Sequence, residues 1–397
     1  MPVTATTKLQ CFWRDASVLK EFRTGVSLHS HTMYSEESLD MVPRYTAKVP
    51  YLGAAIRRQT AEYSRKTGGE FDFSNAFWTP PFAPRQAYRI EEKQIQRRFQ
   101  LPALISLTDH DDIRAGMLLS VLERFRAAPI STEWTVPFGP TFFHLGIHNL
   151  PAADAAGITE RLSAYTLNPQ EEKLGGLLEM LNSYPDVLLV LNHPLWDEKG
   201  IGVANHAQVL ERLLTGHGRD IHALELNGLR SWQENKGVLR VAQQSGLPLV
   251  SGGDRHGREP NAILNLSRAD NLAGFIHEIR YSRRSHVVFM PSYNEPLKLR
   301  LMQTMVDVVR DWPENLEGRR RWADRVFYCS PSGCGPVPLF TIWKDGGPKL
   351  VGQFVAAMRL LQSRTALSLL RIALDDRSKN SASGSFTSLE ADPEQAL

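Results

Sequence analysis

The sequence predicts an α/β fold built on a parallel sheet or barrel, and two observations carry that prediction. Short β-rich runs alternate with longer amphipathic helical patterns between about residues 25 and 290, the order that βα units produce. Histidines and carboxylates recur at the ends of those runs, where a parallel α/β fold gathers its functional side chains.

The strand series opens with GVSLH near residue 25 and continues with ALISLT at 103, FFHLGI at 142, DVLLVLN at 186, HALELN at 222, LPLVSGG at 247 and HVVFM at 286. STEWTV forms a less clear strand between the second and third. Between them lie helical patterns such as EEKLGGLLEMLNSY, AQVLERLLTG, NKGVLRVAQQSG and LAGFIHEIRYSR, each closed by Gly, Pro or a polar turn. No fixed period is visible, which argues against a solenoid.

Two regions break the rhythm. From Asp40 to about Gln100 the first connection far exceeds a usual βα loop and contains the aromatic, proline-rich piece FDFSNAFWTPPFAPRQAY. Phe71, Phe73, Phe77 and Trp78 there could close over a substrate or pack as a small core of their own. Beyond about Pro296 the alternation stops, and two amphipathic helices are expected around a Gly/Pro-rich loop. In the first, Leu297, Leu301, Met305 and Val308 share a stripe that suits either the chain's own barrel or a partner. The expected organisation is thus an N-terminal extension (1–24), a barrel (25–295), a C-terminal helical region (296–376) and a polar, disordered tail (377–397).

Composition narrows the function classes. With 397 residues, 42% hydrophobic and 22% charged, the chain can build a sizeable core and is not globally disordered. A formal charge of +3 is too weak to argue for nucleic acid as a general partner. Three cysteines, Cys11, Cys329 and Cys334, make a disulfide framework unlikely and point to a reducing compartment. The N-terminal residues lack an apolar h-region, and no stretch approaches about 18 apolar residues, so a cytoplasmic protein with no membrane contact is expected. No GxxxxGK loop or GxSxG elbow is present, which speaks against an NTPase and a serine hydrolase.

The chemistry lies in the strand-end residues. They are His29 and His31, then Asp109, His110 and Asp111, Glu133, His144, His193, Glu225, and finally Asp254 and His256. In a parallel barrel they converge on one rim although they lie up to about 230 positions apart. Singly each is weak: a lone His is commonly a packed core residue, and the Asp of GGDRH could simply cap a helix. Jointly they argue for a metal site, because the alternative leaves many buried charges without partners. The set mixes imidazole with carboxylate and has no thiolate, which suits Mn, Zn or Fe(II). More than six candidate ligands exceed the needs of one tetrahedral ion and fit two to three divalent ions sharing carboxylates.

These stretches, LHSHTMYSEES, ISLTDHDDIRAG, STEWTV with FHLGI downstream, LNHPLW and VSGGDRHG, resemble the PHP (polymerase and histidinol phosphatase) superfamily of metal-dependent phosphoesterases, in the family's order. The resemblance implies a distorted (β/α)7 TIM-like barrel with a trinuclear centre. It implies that His29, His31, Glu133 and Asp254 hold one ion, that Glu133 bridges to a second ion held with His144 and His193, and that Glu36, His110 and His256 hold a third. The family usually has Asp where this chain has Glu36, followed here by Glu37. Glu133, Asp254 and His193 would act directly in catalysis. Asp109, Asp111, Asn192 and Glu225 would orient imidazoles, although Glu225 could equally pair with an arginine. Arg114, Arg230, Arg255 and Arg258 follow the ligand motifs and are candidate phosphate clamps.

The expected activity is hydrolysis of small phosphomonoesters or terminal phosphodiesters by a metal-bound hydroxide. Nucleic acid enters only as a terminal substrate, because an aromatic insert over the rim would narrow access. Two alternatives remain at this point. One is an amidohydrolase-like enzyme acting on amides or lactones, which would usually place a carboxylated Lys at a middle strand end. The other is a metal-stabilised interaction module without catalysis.

Overall fold

Every run expected as a strand forms one. The computed structural model describes residues 5–12, 17–46, 50–317, 319–329, 335–341 and a few positions between 349 and 357. Cys334, most of the second expected C-terminal helix and the expected tail lie outside the described residues. The first half contains β1 Thr6–Cys11, β2 Thr24–Ser27, β3 Glu37–Ser38, α1 Val42–Thr46, α2 Pro50–Thr67, β4 Ala76–Trp78, α3 Pro84–Phe99, β5 Ala103–Ile105, α4 Arg114–Ser120, β6 Ile130–Phe138, β7 Thr141–Leu150, α5 Ala155–Leu167 and α6 Glu171–Asn182. The second contains β8 Leu188–Asn192, α7 Val203–His217, β9 Ala223–Asn227, α8 Trp232–Ser245, β10 Leu249–Gly252, β11 Ile263–Ser267, α9 Leu272–Arg280, β12 Arg284–Phe289, α10 Leu297–Val309, β13 Val326–Cys329 and β14 Pro336–Pro338.

The strands form two five-stranded sheets, ordered β1-β12-β11-β2-β5 and β10-β9-β8-β7-β6. They face one another: Val26 and Leu28 from the first meet Leu188, Val190, Ala223 and Val250 from the second in one buried cluster, joined by Phe275 and Ile276 of α9. Leu189 and Leu191 point the other way, into a larger core with α5 to α8. Alternate residues of β8 are thus buried on both faces, which is why its sequence is a continuous apolar run.

The fold departs from the expected (β/α)7 barrel in two ways. No continuous ladder closes the two sheets among the described residues; they touch through isolated bridges, Ser30 with Arg255 and His110 with Glu133. Nor are all strands parallel, since β7 runs antiparallel to β6 and β8, and β11 antiparallel to β2 and β12. The cause at β6 and β7 is local. Phe138 pairs with Thr141 across Gly139 and Pro140, and Gly139 takes φ +59°, so a two-residue hairpin stands where a crossover helix would otherwise run.

The N-terminal residues expected as an extension contribute β1, parallel to β12. The long insert joins the C-terminal region in a third sheet, ordered β14-β13-β4-β3. Phe77 stacks on Phe327 at 5.0 Å and Phe71 on Tyr328 at 4.6 Å, so these rings form a small core rather than a free flap. Helix α10 is present as expected but turns a different face inward. Leu299, Arg300 and Val306 are buried while Leu301 and Met305 are exposed. Arg300 buries its stem and gives its guanidinium to the Gly228 carbonyl. No described helix is long and apolar enough to cross a membrane.

Candidate metal centre

The ligand-type side chains gather where the two sheets meet. His29 and His31 follow β2 and, two residues apart in extended chain, point the same way. His29 Nδ1 donates to Glu225 Oε1 at 2.6 Å, which leaves Nε2 facing Glu133 Oε2 at 2.9 Å. Ser35 Oγ donates to Glu37 Oε1 at 2.6 Å and therefore accepts from His31 Nδ1 at 3.0 Å. The His31 Nε2 lone pair then faces Glu133 Oε2 at 3.3 Å and Asp254 Oδ1 at 3.5 Å. The two Nε2 atoms are 3.1 Å apart.

Glu133, fully buried on β6, is the hub. Its Oε1 lies 3.2 Å from His193 Nε2 and 3.5 Å from His144 Nδ1, and its Oε2 lies 3.5 Å from His110 Nδ1. Asn192 Nδ2 donates to Oε1 at 2.9 Å. The groups whose donor atoms come close enough to share an ion are His29, His31 and Glu133; His31, Asp254 and His256; His31, Glu37 and His110; and His110, Glu133 and His144.

The electrostatics call for added positive charge. Burial drives the Glu133 carboxyl up, yet His29, His110 and His144 outweigh it and hold it well below the usual carboxylate range. Asp254 is held down in the same way, chiefly by His29 against the cost of burial. Burial opposes charge on His29, but Glu133, Glu225 and Asp254 push its pKa well above the ordinary value. Burial and His256 instead depress His31 to about 4. His144 Nδ1 is buried without a hydrogen-bond partner. An orphaned imidazole nitrogen among N and O donors and buried carboxylates fits a site for divalent ions.

At one candidate position the structure brings in the neighbour of the expected residue. The carboxylate between His110 Nε2 (3.3 Å) and His256 Nε2 (3.2 Å) belongs to Glu37, not Glu36. Successive strand residues point to opposite faces, and with Glu37 turned inward at the start of β3, Glu36 turns toward Arg114 and Arg319.

The arginines separate just as clearly. Arg255 does not face the rim: it is 1% exposed, with its guanidinium on Glu91 and on the Gly257 and Ala87 carbonyls. Arg114 is largely exposed, pairs with Asp112 and covers the Tyr34 ring at 4.6 Å. Arg258 is exposed and lies over Trp312 at 5.4 Å. Arg230 alone of the four is drawn to the cluster. It stacks 3.8 Å over Trp196 with Nη2 3.8 Å from Asp254 Oδ2.

The expected orienting residues all contact the ligand loops. Asp109, fully buried, accepts from the Thr32 backbone N at 2.5 Å and from Thr32 Oγ1 at 2.7 Å, and burial raises its pKa to about 7. Asp111 accepts from the Thr135 backbone N at 2.8 Å. Glu225 holds His29 and also accepts from the His193 backbone N at 2.8 Å. Gly252 allows that approach, since a Cβ there would lie 1.6 Å from Glu225 Oε1. Asp111, His193 and Asp254 take φ of +51°, +27° and +52°, the kind of backbone strain that collects at functional sites.

Sequence reasoning missed Glu91. Its buried carboxylate accepts from Ser27, Ser30, Arg255 and Asn261, and so ties the HxH segment to the DRH segment. A signal was present: Ala87, Glu91, Ile95 and Phe99 fall at successive four-residue steps on the buried face of α3, and a carboxylate in such a stripe needs partners. Glu198, which lines a small cleft with His144, His193 and Trp196, was also missed; burial pushes its carboxyl up.

No family model matches the chain, and no curated protein does. Among solved structures it is similar to a protein of Bifidobacterium adolescentis assigned as a metal-dependent phosphoesterase, at 12% identity and a TM-score of 0.31, covering 64% of this chain and 96% of that one. It is also similar to an amidohydrolase of Chromobacterium violaceum, solved with sulfate and no metal, at 14% identity and a TM-score of 0.33, covering 58% and 87%. At such values neither likeness bears on function.

Proposed function

We propose that the chain is a metal-dependent hydrolase of the PHP kind its motifs resemble, cleaving small phosphomonoesters or terminal phosphodiesters. The observation that carries this reading is the buried meeting of the His29 and His31 Nε2 atoms with the Glu133 and Asp254 oxygens, a concentration of N and O donors around buried negative charge that draws cations. His29, His31, Glu133 and Asp254 would hold one ion, Glu133, His144 and His193 a second, and Glu37, His110 and His256 a third. Mn, Zn or Fe at such a site polarises a phosphoryl oxygen and acidifies bound water.

The chain's own groups supply the rest. Glu225 fixes the His29 ring with Nε2 turned inward. Arg230, beside Asp254, receives the phosphate oxygens. Glu198, on the cleft beside His193, holds the proton for the leaving oxygen. Trp78, its ring 5.6 Å from that of His256, restricts access to small or terminal esters. Phosphoesters are favoured over amides because the residue at the hub is Glu133 and the side chain beside the candidate ligands is a guanidinium, suited to an anion.

Protein purified without chelator should carry two to three equivalents of metal, and His29→Ala should abolish phosphoester turnover while the fold survives. Folded protein without metal would refute the reading. Efficient cutting of a circular polynucleotide would refute restricted access, and turnover confined to amides or lactones would move the enzyme to the other class.

A further inference from the structure

A second recess lies beside the cluster. A cavity of about 310 Å3 opens between the starts of α7 and α8, walled by Leu195, Val203 and Ala207 with His206 and Glu234 among its polar lining. Val203 stands at its mouth, 84% exposed. His206 is 2% exposed; its Nε2 donates to the Pro194 carbonyl at 2.9 Å, so in the neutral ring Nδ1 is a bare acceptor. That Nδ1, Glu234 Oε1 and Arg230 Nε are all buried without a hydrogen-bond partner. Such concentration is unusual, because buried polar atoms are nearly always paired.

The recess is one guanidinium away from the cluster. Arg230 Nη2 is 3.8 Å from Asp254 Oδ2, and Arg230 Nε is 3.8 Å from Glu234 Oε1, too far for a hydrogen bond. Glu234 lines the cavity and faces Arg230 Nε, so a phosphate held by the outer nitrogens of Arg230 would leave its esterified group within reach of the Glu234 wall. We propose, resting on the phosphoesterase reading, that the cavity is the subsite for the organic part of the substrate. His206 and Glu234 then select an apolar group ending in a hydrogen-bond donor, best a cationic amine, over an acidic one. The apolar walls bury the body of the group, and the two free acceptors receive its donors. A carboxylate of equal length would meet the Glu234 carboxylate and the bare His206 nitrogen, with only the Ser231 hydroxyl and the Gln233 amide of the lining to donate to it.

Three matched aryl esters test this with metal-loaded protein: tyramine O-phosphate, 4-ethylphenyl phosphate and the O-phosphate of 3-(4-hydroxyphenyl)propionate. The expected order of kcat/KM is amine over ethyl by about tenfold or more, with the carboxylate lowest, as for a site whose polar groups go unpaired with the wrong guest. Glu234→Gln should shrink the amine's advantage over ethyl to less than about threefold. Val203→Trp, at an exposed position, should raise KM for all three by filling the mouth. Equal rates across the series, or a preference for the carboxylate, would overturn the subsite. Should no phosphoester be hydrolysed, the phosphoesterase reading fails by itself, and tyramine binding decides the subsite separately. Equilibrium dialysis should show affinity falling about tenfold in Glu234→Gln; equal affinity in the two proteins, or no binding, overturns it.

Discussion

Replacing Glu91 by Gln isolates a carboxylate that joins the HxH segment to the DRH segment. Glu91 and Arg255 are 0% and 1% exposed, and the amide would keep the shape of the side chain while removing its charge. One carboxylate oxygen would become a donor facing donors from Ser27 and Asn261 or from Ser30 and Arg255. Breaking one side of a buried pair costs about 3–5 kcal/mol, a large share of the roughly 5–15 kcal/mol that keeps a domain folded. A second effect bears on function. Ser30 sits between His29 and His31, and Arg255 between Asp254 and His256, so slackening their common anchor should weaken metal binding about 10–100-fold. Denaturant unfolding and metal titration of Glu91→Gln check both numbers, and Glu91→Gln with Arg255→Met should recover part of the stability by removing the stranded cation. A loss under about 1 kcal/mol with unchanged metal affinity, or a double variant no more stable than the single, would refute the reasoning.

Other outcomes follow from single contacts. His222 accepts from the Leu189 backbone N and donates to Asn182; burial, helped by Arg280 and Arg283, lowers its pKa from 6.5 to about 3. Its neutral ring therefore contributes full stability above about pH 6.5, and that contribution is lost as pH falls from 6.5 toward 3. At pH 5 the loss is about 2 kcal/mol, from 1.5 pH units at roughly 1.36 kcal/mol each; His222→Gln should flatten this acid arm in pH-dependent unfolding, and an unchanged arm would show that His222 is not its source. Gly252→Ala should displace Glu225 and release His29, lowering metal affinity in titration more than it lowers melting temperature. Arg230→Met should cut kcat/KM for phosphoesters about 100-fold, whereas Arg258→Met should change it less than about threefold; equal effects would dismiss Arg230 as the clamp.

Much of the centre was legible because its ligands occupy strand ends, where period and position speak together. HxH after GVSL lands beside Glu133, and DxH after LVSGG lands beside His31. Where the reading failed, the deciding contact lay far away in sequence. Arg230 and Arg255 look alike as arginines following a ligand strand, yet Arg255 is buried by a glutamate 164 positions away. The choice between Glu36 and Glu37 depends on the phase of a two-residue strand, β3, set by pairing with β4, which no local pattern encodes. The strand β11 escaped notice because Asn265, poor in strands by propensity, sits at its centre and bonds the backbone of Ser251.

The third sheet has a consequence for exchanging parts between proteins. Trp78, beside His256, rides on β4, and β4 pairs along Val326 to Tyr328 of β13. The wall of the mouth is therefore written in two stretches of chain nearly 250 residues apart. Transplanting residues 40–100 alone into another scaffold would carry the aromatic rings without the strand that seats them. A graft that preserves the entrance has to move both stretches as one cassette, and a library that randomises the entrance has to vary them in concert.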